Sequence, residues 1–453
     1  MAEIKPFRAY RYLASRVAPQ DVLTQPYDKI TLAMQARYYA SSPYNLVTVE
    51  KGRVLPGDTA GHNVYTRAAS KIKQWIAEQI LVEDEAPGIY LYSQEFLVPE
   101  LQTRRVRTGF IALLRIEDYD KQVVFRHEYT LSGPKADRIE LLRKTCVQTG
   151  QLFLLYDDPA RQIDAWVAEK AAQRPLVAFE DEFGVTHHLW PISDARFIER
   201  IREAMTDKKI VIADGHHRYE TALAYRDEWR ARTGKIDPLA ASEFAMATFI
   251  NAHSRGLTIL ATHRLVSRLA DSNFETLRQR LAPFFDWYSY PFASPNERAT
   301  AYDEFRRDFE KLNGSRRAIG VYPAPPVPDA GAFYLFVLKR AIDVDDLLPG
   351  FSPGQRGLDV VLLHRVILEK GLGITAEAVK TEKNVSYERE MEAAIAAVER
   401  GDAQIAFLLN PVRVQQVMDI ALAGDVLPQK STDFYPKLLS GLAIYRVEGR
   451  IND

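Results

Sequence analysis

The run Ile210-Val211-Ile212-Ala213-Asp214-Gly215-His216-His217-Arg218-Tyr219-Glu220 constrains this chain more than any other stretch. Its four apolar residues, mostly β-branched, predict a short buried strand. Asp214-Gly215 then signals a turn. Tyr219, Ala222, Leu223 and Trp229 follow at helical spacing, and Arg230, Arg232 and Gly234 mark a helix stop. The unit is therefore strand, tight polar turn, helix. A helix start offers backbone N–H groups and a partial positive charge. Two histidines and an arginine at that point make an anion site, best suited to phosphate. The competing interpretation is a surface turn with incidental histidines.

Composition narrows the class. At 453 residues the chain is expected to form two or three domains. Its 47% hydrophobic and 26% charged content is that of a folded globular protein. Lys+Arg 59 against Asp+Glu 60 leaves a net charge of -1, which makes a nucleic-acid partner unlikely on balance. Cys146, the single cysteine, excludes an intramolecular disulfide and a cysteine-rich zinc site, and is read as a small buried hydrophobe. No signal peptide and no membrane-length apolar run is visible. The expected compartment is the cytoplasm, with no membrane partner. The sequence leaves the oligomeric state open.

The box Asp214-Gly215-His216-His217-Arg218 resembles the phosphate-binding box of the ParB/sulfiredoxin-like superfamily, in the form carried by its free-serine kinases. That resemblance covers about a third of the chain. Sulfiredoxin itself needs a Cys in the box, which this chain lacks. With Pro26-Tyr27-Asp28 near the start and Pro428-Gln429-Lys430-Ser431-Thr432 near the end, nearly the whole chain resembles the bacterial DUF1015 family. The resemblance implies an α+β fold, with a mixed-sheet ParB/sulfiredoxin-like core flanked by smaller α+β regions. The expected boundaries are 1–116 for an N-terminal region, 117–266 for the phosphate-binding domain with an insertion near 155–200, and 267–453 for a C-terminal region.

Along the chain, helices are predicted over Thr66–Ile80, Phe274–Phe284, Ala299–Leu312, Leu358–Leu368 and Tyr387–Val398. Strands are predicted over Ile89–Val98, Val106–Ile116, Val123–Thr130, Phe244–Asn251, Gly256–Val266, Ala318–Tyr322, Phe333–Lys339 and Ile405–Leu409. Pro26-Tyr27-Asp28 and Pro43-Tyr44-Asn45 read as turns that could line a site. His187 and His188 are expected in a structural strand end, and Thr262-His263-Arg264 either in a strand terminus or in an anion contact. Pro323 to Gly331 reads as a proline-rich loop.

His127-Glu128 is expected at the end of a strand that runs into a Gly133-Pro134 loop. Lys135 and Arg138 follow on a helix. By resemblance to the serine kinases, Glu128 takes the place of their catalytic carboxylate and Lys430-Ser431-Thr432 that of their downstream Lys-Ser/Thr-Thr run. About 85 residues separate Glu128 from Asp214.

Phosphoryl transfer needs positioning, charge neutralisation and often a base. The expected catalytic residues are Glu128, His127 and His217. The expected phosphate or nucleotide ligands are Asp214, Gly215, His216, His217, Arg218, Lys135, Arg138, Lys430, Ser431 and Thr432. The expected activity is a kinase or phosphatase reaction on serine or phosphoserine, with Mg2+ and a nucleotide, ATP or ADP, as cofactors. One alternative is a ParB-like nucleotide-binding switch, which would want a helix-turn-helix and a basic face. Another is a zinc hydrolase, but Leu131 stands where His-Glu-x-x-His needs its second His.

Overall fold

The computed structural model describes residues 2–128, 132–269, 274–325 and 330–451. Its contacts divide the chain into two units. One comprises Met1–Thr258 with Phe434–Asp453, and the other Ile259–Asp433.

The first unit is built on a nine-stranded mixed sheet. Eight strands run in the order Val124–Arg126, Ile210–Asp214, Leu152–Tyr156, Phe244–Asn251, Thr103–Arg115, Ile89–Val98, Thr186–Ile192 and Val177–Glu180. Ile4–Lys5 adds to Thr103–Arg115. Val124–Arg126 lies parallel to Ile210–Asp214, and Leu152–Tyr156 parallel to Phe244–Asn251. The other pairings are antiparallel.

Burial explains the run of apolar residues in the central strands. Leu152–Tyr156 is buried at every position, and so is Phe244–Asn251, as expected for strands covered on both faces. Helices Gln162–Ala171, Ala195–Met205 and His216–Thr233 supply Ile163, Val167, Phe197, Ile201, Met205, Tyr219 and Ala222 to one core with the sheet. Phe110 and Phe249 stack there at 5.0 Å. Each such side chain contributes about 1.5–3 kcal/mol by leaving water.

This sheet cuts across the boundaries expected from sequence. Thr103–Arg115 pairs with Phe244–Asn251 from Phe244↔Arg115 to Phe249↔Phe110, so residues on both sides of position 116 share one sheet. The stretch expected as an insertion near 155–200 supplies Val177–Glu180 and Thr186–Ile192 to the same sheet. The C-terminal segment returns to the first unit, where Tyr445–Arg446 pairs with Val147–Gln148.

The second unit holds a six-stranded antiparallel sheet in the order Phe285–Phe292, Gly331–Leu338, Ala318–Pro323, Ile405–Leu408, His263–Val266 and Val385–Glu388. Helices Pro295–Leu312 and Met391–Glu399 bury Phe305, Phe309, Ala394, Ile395 and Val398 against it. A mixed sheet and an antiparallel sheet, each with helices packed against it, make the fold α+β.

Several local expectations change. The helix predicted over Tyr387–Val398 splits, because Tyr387 pairs with Arg264 in the edge strand Val385–Glu388 and the helix starts at Met391. Gly256–Val266 is two strands, Thr258–Leu260 and His263–Val266. Leu358–Leu368 is a short turn of helix, Asp359–Leu362, continued by a π-helix over Leu363–Gly371. The expected Gly133-Pro134 loop is the start of helix Ser132–Thr145, since Pro is tolerated in a first helical turn. Tyr129, Thr130 and Leu131, and Pro326 to Asp329 of the proline-rich loop, lie outside the described residues. Cys146 is half-buried rather than core, at φ +54. Among the described residues, no helix is long and apolar enough to cross a membrane.

Candidate functional site

The box has the predicted local form. Strand Ile210–Asp214 is buried up to Ala213. Gly215 then takes φ +94, and helix His216–Thr233 begins. The left-handed turn is what lets strand pass into helix within one residue, and glycine adopts it without strain. Gly215 also brings no side chain to cap the helix, so its first-turn N–H groups face the turn as an anion-binding helix start does.

Arg218 folds back over this turn. A Cβ on Gly215 would lie 3.0 Å from Arg218 Nε and 3.1 Å from its Cζ. Gly215→Ala therefore meets both an unfavourable φ and a crowded guanidinium. We expect a loss of about 1–3 kcal/mol of stability, read as a lower urea midpoint, together with weaker phosphate binding. A variant as stable as the parent would contradict the tightness of the turn.

Asp214 is the electrostatic centre of the site. Its Oδ2 lies 3.5 Å from Arg218 Nη2 and 3.8 Å from Lys437 Nζ. Burial alone would raise its pKa. Lys437, Arg218, Lys29 and His216 together outweigh that and hold the carboxyl well below the usual range. Asp214 is thus ionised at any physiological pH, and the cations around it are pre-gathered. Arg218 Nη1 also donates to the Gln151 carbonyl. One carbonyl and one long ion pair leave a five-donor guanidinium able to take further acceptors.

Lys437 reaches Asp214 because its segment is clamped. Arg107, buried on the strand Thr103–Arg115, donates from Nη1 to the Tyr435 carbonyl at 3.1 Å and from Nη2 to that of Pro436 at 2.5 Å. Gln94 Nε2 donates to the Lys437 carbonyl at 2.9 Å, and Gln94 Oε1 accepts from Arg107. The guanidinium stacks on Phe153 with 4.7 Å to the ring centre. Burial lowers its pKa to about 10, with Tyr92 and Asp214 acting the other way, so it stays charged.

His127 and Glu128 come to the same end of the sheet. The parallel pairing of Val124–Arg126 with Ile210–Asp214 runs to Ile212↔Arg126. Two residues further along each strand stand Asp214 and Glu128. Glu128 is half-buried there. His127 is buried and donates from Nδ1 to the Ile212 carbonyl at 2.6 Å. That bond fixes the neutral tautomer with Nε2 as acceptor. Burial depresses its pKa to about 4, against the raising effect of the Ile212 carbonyl and Asp214. The His127 N–H donates to His216 Nε2 at 3.4 Å, and the two rings meet edge to face at 4.7 Å. His216 is likewise pushed well down, first by burial and then by His127. Neutral imidazoles here are hydrogen-bonding groups rather than cations. His217 is half-buried in the first turn, its carbonyl accepting from Thr221 Oγ1 at 2.7 Å.

Arg138 and Arg218 line one small cleft with Tyr27, Glu50, Thr149 and Gly150. Glu50 is buried, accepting from Arg138 Nη1 at 3.1 Å and from Thr149 Oγ1. Arg138 also pairs with Asp137 and lies 4.2 Å over the Tyr27 ring. Burial, with Asp28 next, lifts the Tyr27 hydroxyl to about 12, and Arg138 and Arg218 oppose it. Lys135 pairs with Glu220 of the box helix. Lys135 and Arg138, which follow Glu128 in sequence, are thus each paired with carboxylates.

The remaining candidates have other roles or places. Lys430, Ser431 and Thr432 belong to the second unit. There Lys430 takes φ +57, its carbonyl accepts from Arg264 at 3.0 Å, and Ser431 donates to the Pro428 carbonyl. Asn45 is a structural turn residue, its side chain bonded to the Asp21 carbonyl and the Val47 N–H. His187 bridges Tyr92 and Asp181 inside the sheet. Thr262, His263 and Arg264 are buried at a strand start.

Residues 4–361 match the family model described as protein of unknown function, DUF1015. The chain belongs to this family. No curated protein matches it. A conserved hypothetical protein from Pyrococcus furiosus is similar in structure, at TM-score 0.34 and 12% identity, covering 74% of this chain and 95% of that one. A free serine kinase in complex with ADP is similar at TM-score 0.34 and 11% identity, covering 73% and 92%. SbnI with a C-terminal truncation, from Staphylococcus aureus, stands at 0.34 and 10%, covering 74% and 87%. Likenesses of this size carry no argument about what this DUF1015 chain does.

Sequence reasoning missed Lys437, Arg107 and Glu50 as members of the site. Lys437 lay in the Pro-Lys-Ser-Thr region but was not singled out. Glu50 and Arg107 had no local signal, since each owes its place to pairing across the fold. Tyr27 carried one signal, its position between Pro26 and Asp28.

Proposed function

We propose that this protein catalyses phosphoryl transfer or phosphate-ester hydrolysis on a small hydroxy amino acid, serine or phosphoserine. The observation that carries the reading is the parallel pairing of Val124–Arg126 with Ile210–Asp214. Its register, ending at Ile212↔Arg126, supports a site that draws on Glu128 and on the glycine-led helix start, which are far apart in sequence. Carboxyl ends of neighbouring parallel strands are where ligands bind in sheets of this kind.

In this reading the first-turn N–H groups and Arg218 hold the phosphate, with Lys437 neutralising charge from the other side of Asp214. Glu128 takes the proton of the attacking hydroxyl as that oxygen bonds to phosphorus. The leaving oxygen departs with its bonding pair. His127, neutral at Nε2, orients a hydroxyl or a water. Mg2+ is commonly held by one or two carboxylates together with phosphate oxygens. Asp214 is a carboxylate of that kind, and the ion would neutralise phosphate charge. Among the described residues no group of three His, Cys, Asp or Glu would cage a metal by itself. The serine-type substrate and the nucleotide, ATP or ADP, rest on the resemblance of the box and of His127-Glu128 to the free-serine kinases.

A panel of nucleotides by thermal shift, then phosphate release from phosphoserine and phosphate transfer to serine, tests this. Binding without either turnover would favour a nucleotide-binding switch. Arg218→Lys, which keeps the charge and loses the fork, is expected to weaken ligand binding by about 2–3 kcal/mol, roughly 30- to 150-fold. Titration calorimetry on the folded variant reads it. Unchanged affinity would remove Arg218 from the phosphate site.

A further inference from the structure

The second unit contains a cleft of about 160 Å³ that the phosphate box does not use. Three loops and a strand start converge on it, carrying Arg264, Arg316, Arg317 and Arg413, with Asp359 the one acidic residue among the described lining groups. Arg317 gives Nε to Asp359 and Nη1 to the Arg356 carbonyl. Its Nη2 is buried with no hydrogen-bond partner. Asn410 Nδ2, on the facing loop, is buried and unpartnered as well.

A buried donor left unmet costs about 1–3 kcal/mol. Native folds keep few of them, and each calls for an acceptor. Here two belong to residues that line one cleft, whose walls carry four guanidinium groups against one carboxylate. Burial raises the Asp359 carboxyl, against the lowering effect of Arg317 and Arg413. Arg413 is exposed, and among the described residues it gives Nε to Gln416 Oε1 at 3.4 Å. Arg316 Nη2 donates to the Leu338 carbonyl at 2.8 Å.

We propose that this cleft is a second ligand site, taking a small phosphorylated molecule whose phosphate oxygens accept from Arg317, Arg413 and Asn410. Planar guanidinium forks match phosphate oxygens in pairs. The excess of positive charge among the lining groups calls for a dianion. Ser431, buried on the same wall, keeps that side polar.

The test is calorimetric titration of inorganic phosphate into the full chain carrying Arg218→Lys, so that the box is weakened and the second site is read. Millimolar or tighter binding of one phosphate is expected. Adding Arg413→Gln should weaken it by about tenfold, and Asn410→Ala by a similar factor. Arg413→Gln in the otherwise native chain should leave phosphoserine turnover unchanged. The proposal is overturned if the Arg218→Lys chain binds no phosphate, or if neither added variant changes the affinity. Malonate binding as tightly as phosphate would overturn the assignment to phosphate.

Discussion

Glu128→Gln is expected to keep ligand binding near normal and to lower turnover by roughly 10² to 10⁴. The substitution preserves shape and hydrogen bonding but cannot accept a proton. Glu128 lies two residues beyond the edge strand Val124–Arg126, as Asp214 lies two beyond its partner Ile212. Asp214 itself is a poor base, because Lys437 and Arg218 hold it ionised. His127 is committed through Nδ1 to the Ile212 carbonyl. Glu128 is therefore the carboxylate of the cluster best placed to move a proton. Single-turnover rates beside equilibrium binding separate the two effects. Full turnover in the variant would sink the assigned role.

Acid should unfold this protein early. His127 is held at about 4, and His263 and His364 at about 3, in each case chiefly by burial. His187 and His216 are lowered by burial too. In the unfolded chain each histidine titrates near 6.5. Between about pH 6.5 and those lower values the unfolded state binds protons that the native state refuses, so stability falls as pH falls. Each histidine contributes a slope of about 1.4 kcal/mol per pH unit over its window. Asp214 adds to the loss at still lower pH, below about 3.9, where its unfolded form takes a proton that its folded form resists. Both units carry such histidines, so urea midpoints should drop by several kcal/mol equivalent between about pH 7 and about pH 5. A flat profile over that range would contradict the buried neutral imidazoles.

What could be read from the sequence was local. Ile210 to Arg218 announces its strand, turn and helix because the hydrophobic pattern changes period across Asp214-Gly215, and the structure has that order. Phe244–Asn251 and Ile89–Val98 were legible with their exact bounds, as runs rich in apolar and aromatic residues. The domain boundaries were not, because the pairing of Thr103–Arg115 with Phe244–Asn251 joins segments with no shared local pattern. Tyr387 shows the same limit, its helical spacing overridden by pairing with Arg264. At the site, Arg218 and His127 were visible as motif members. Lys437 was not, since what brings it to Asp214 is the grip of Arg107 and Gln94 on the backbone of its own segment.

The most direct measurement is a crystal structure of the protein soaked with pyrophosphate at saturation. A phosphate group within hydrogen-bonding distance of the first-turn N–H groups of helix His216–Thr233 and of Arg218, facing Glu128, is the predicted result. Clear density for pyrophosphate elsewhere, with none at the helix start, would contradict the account.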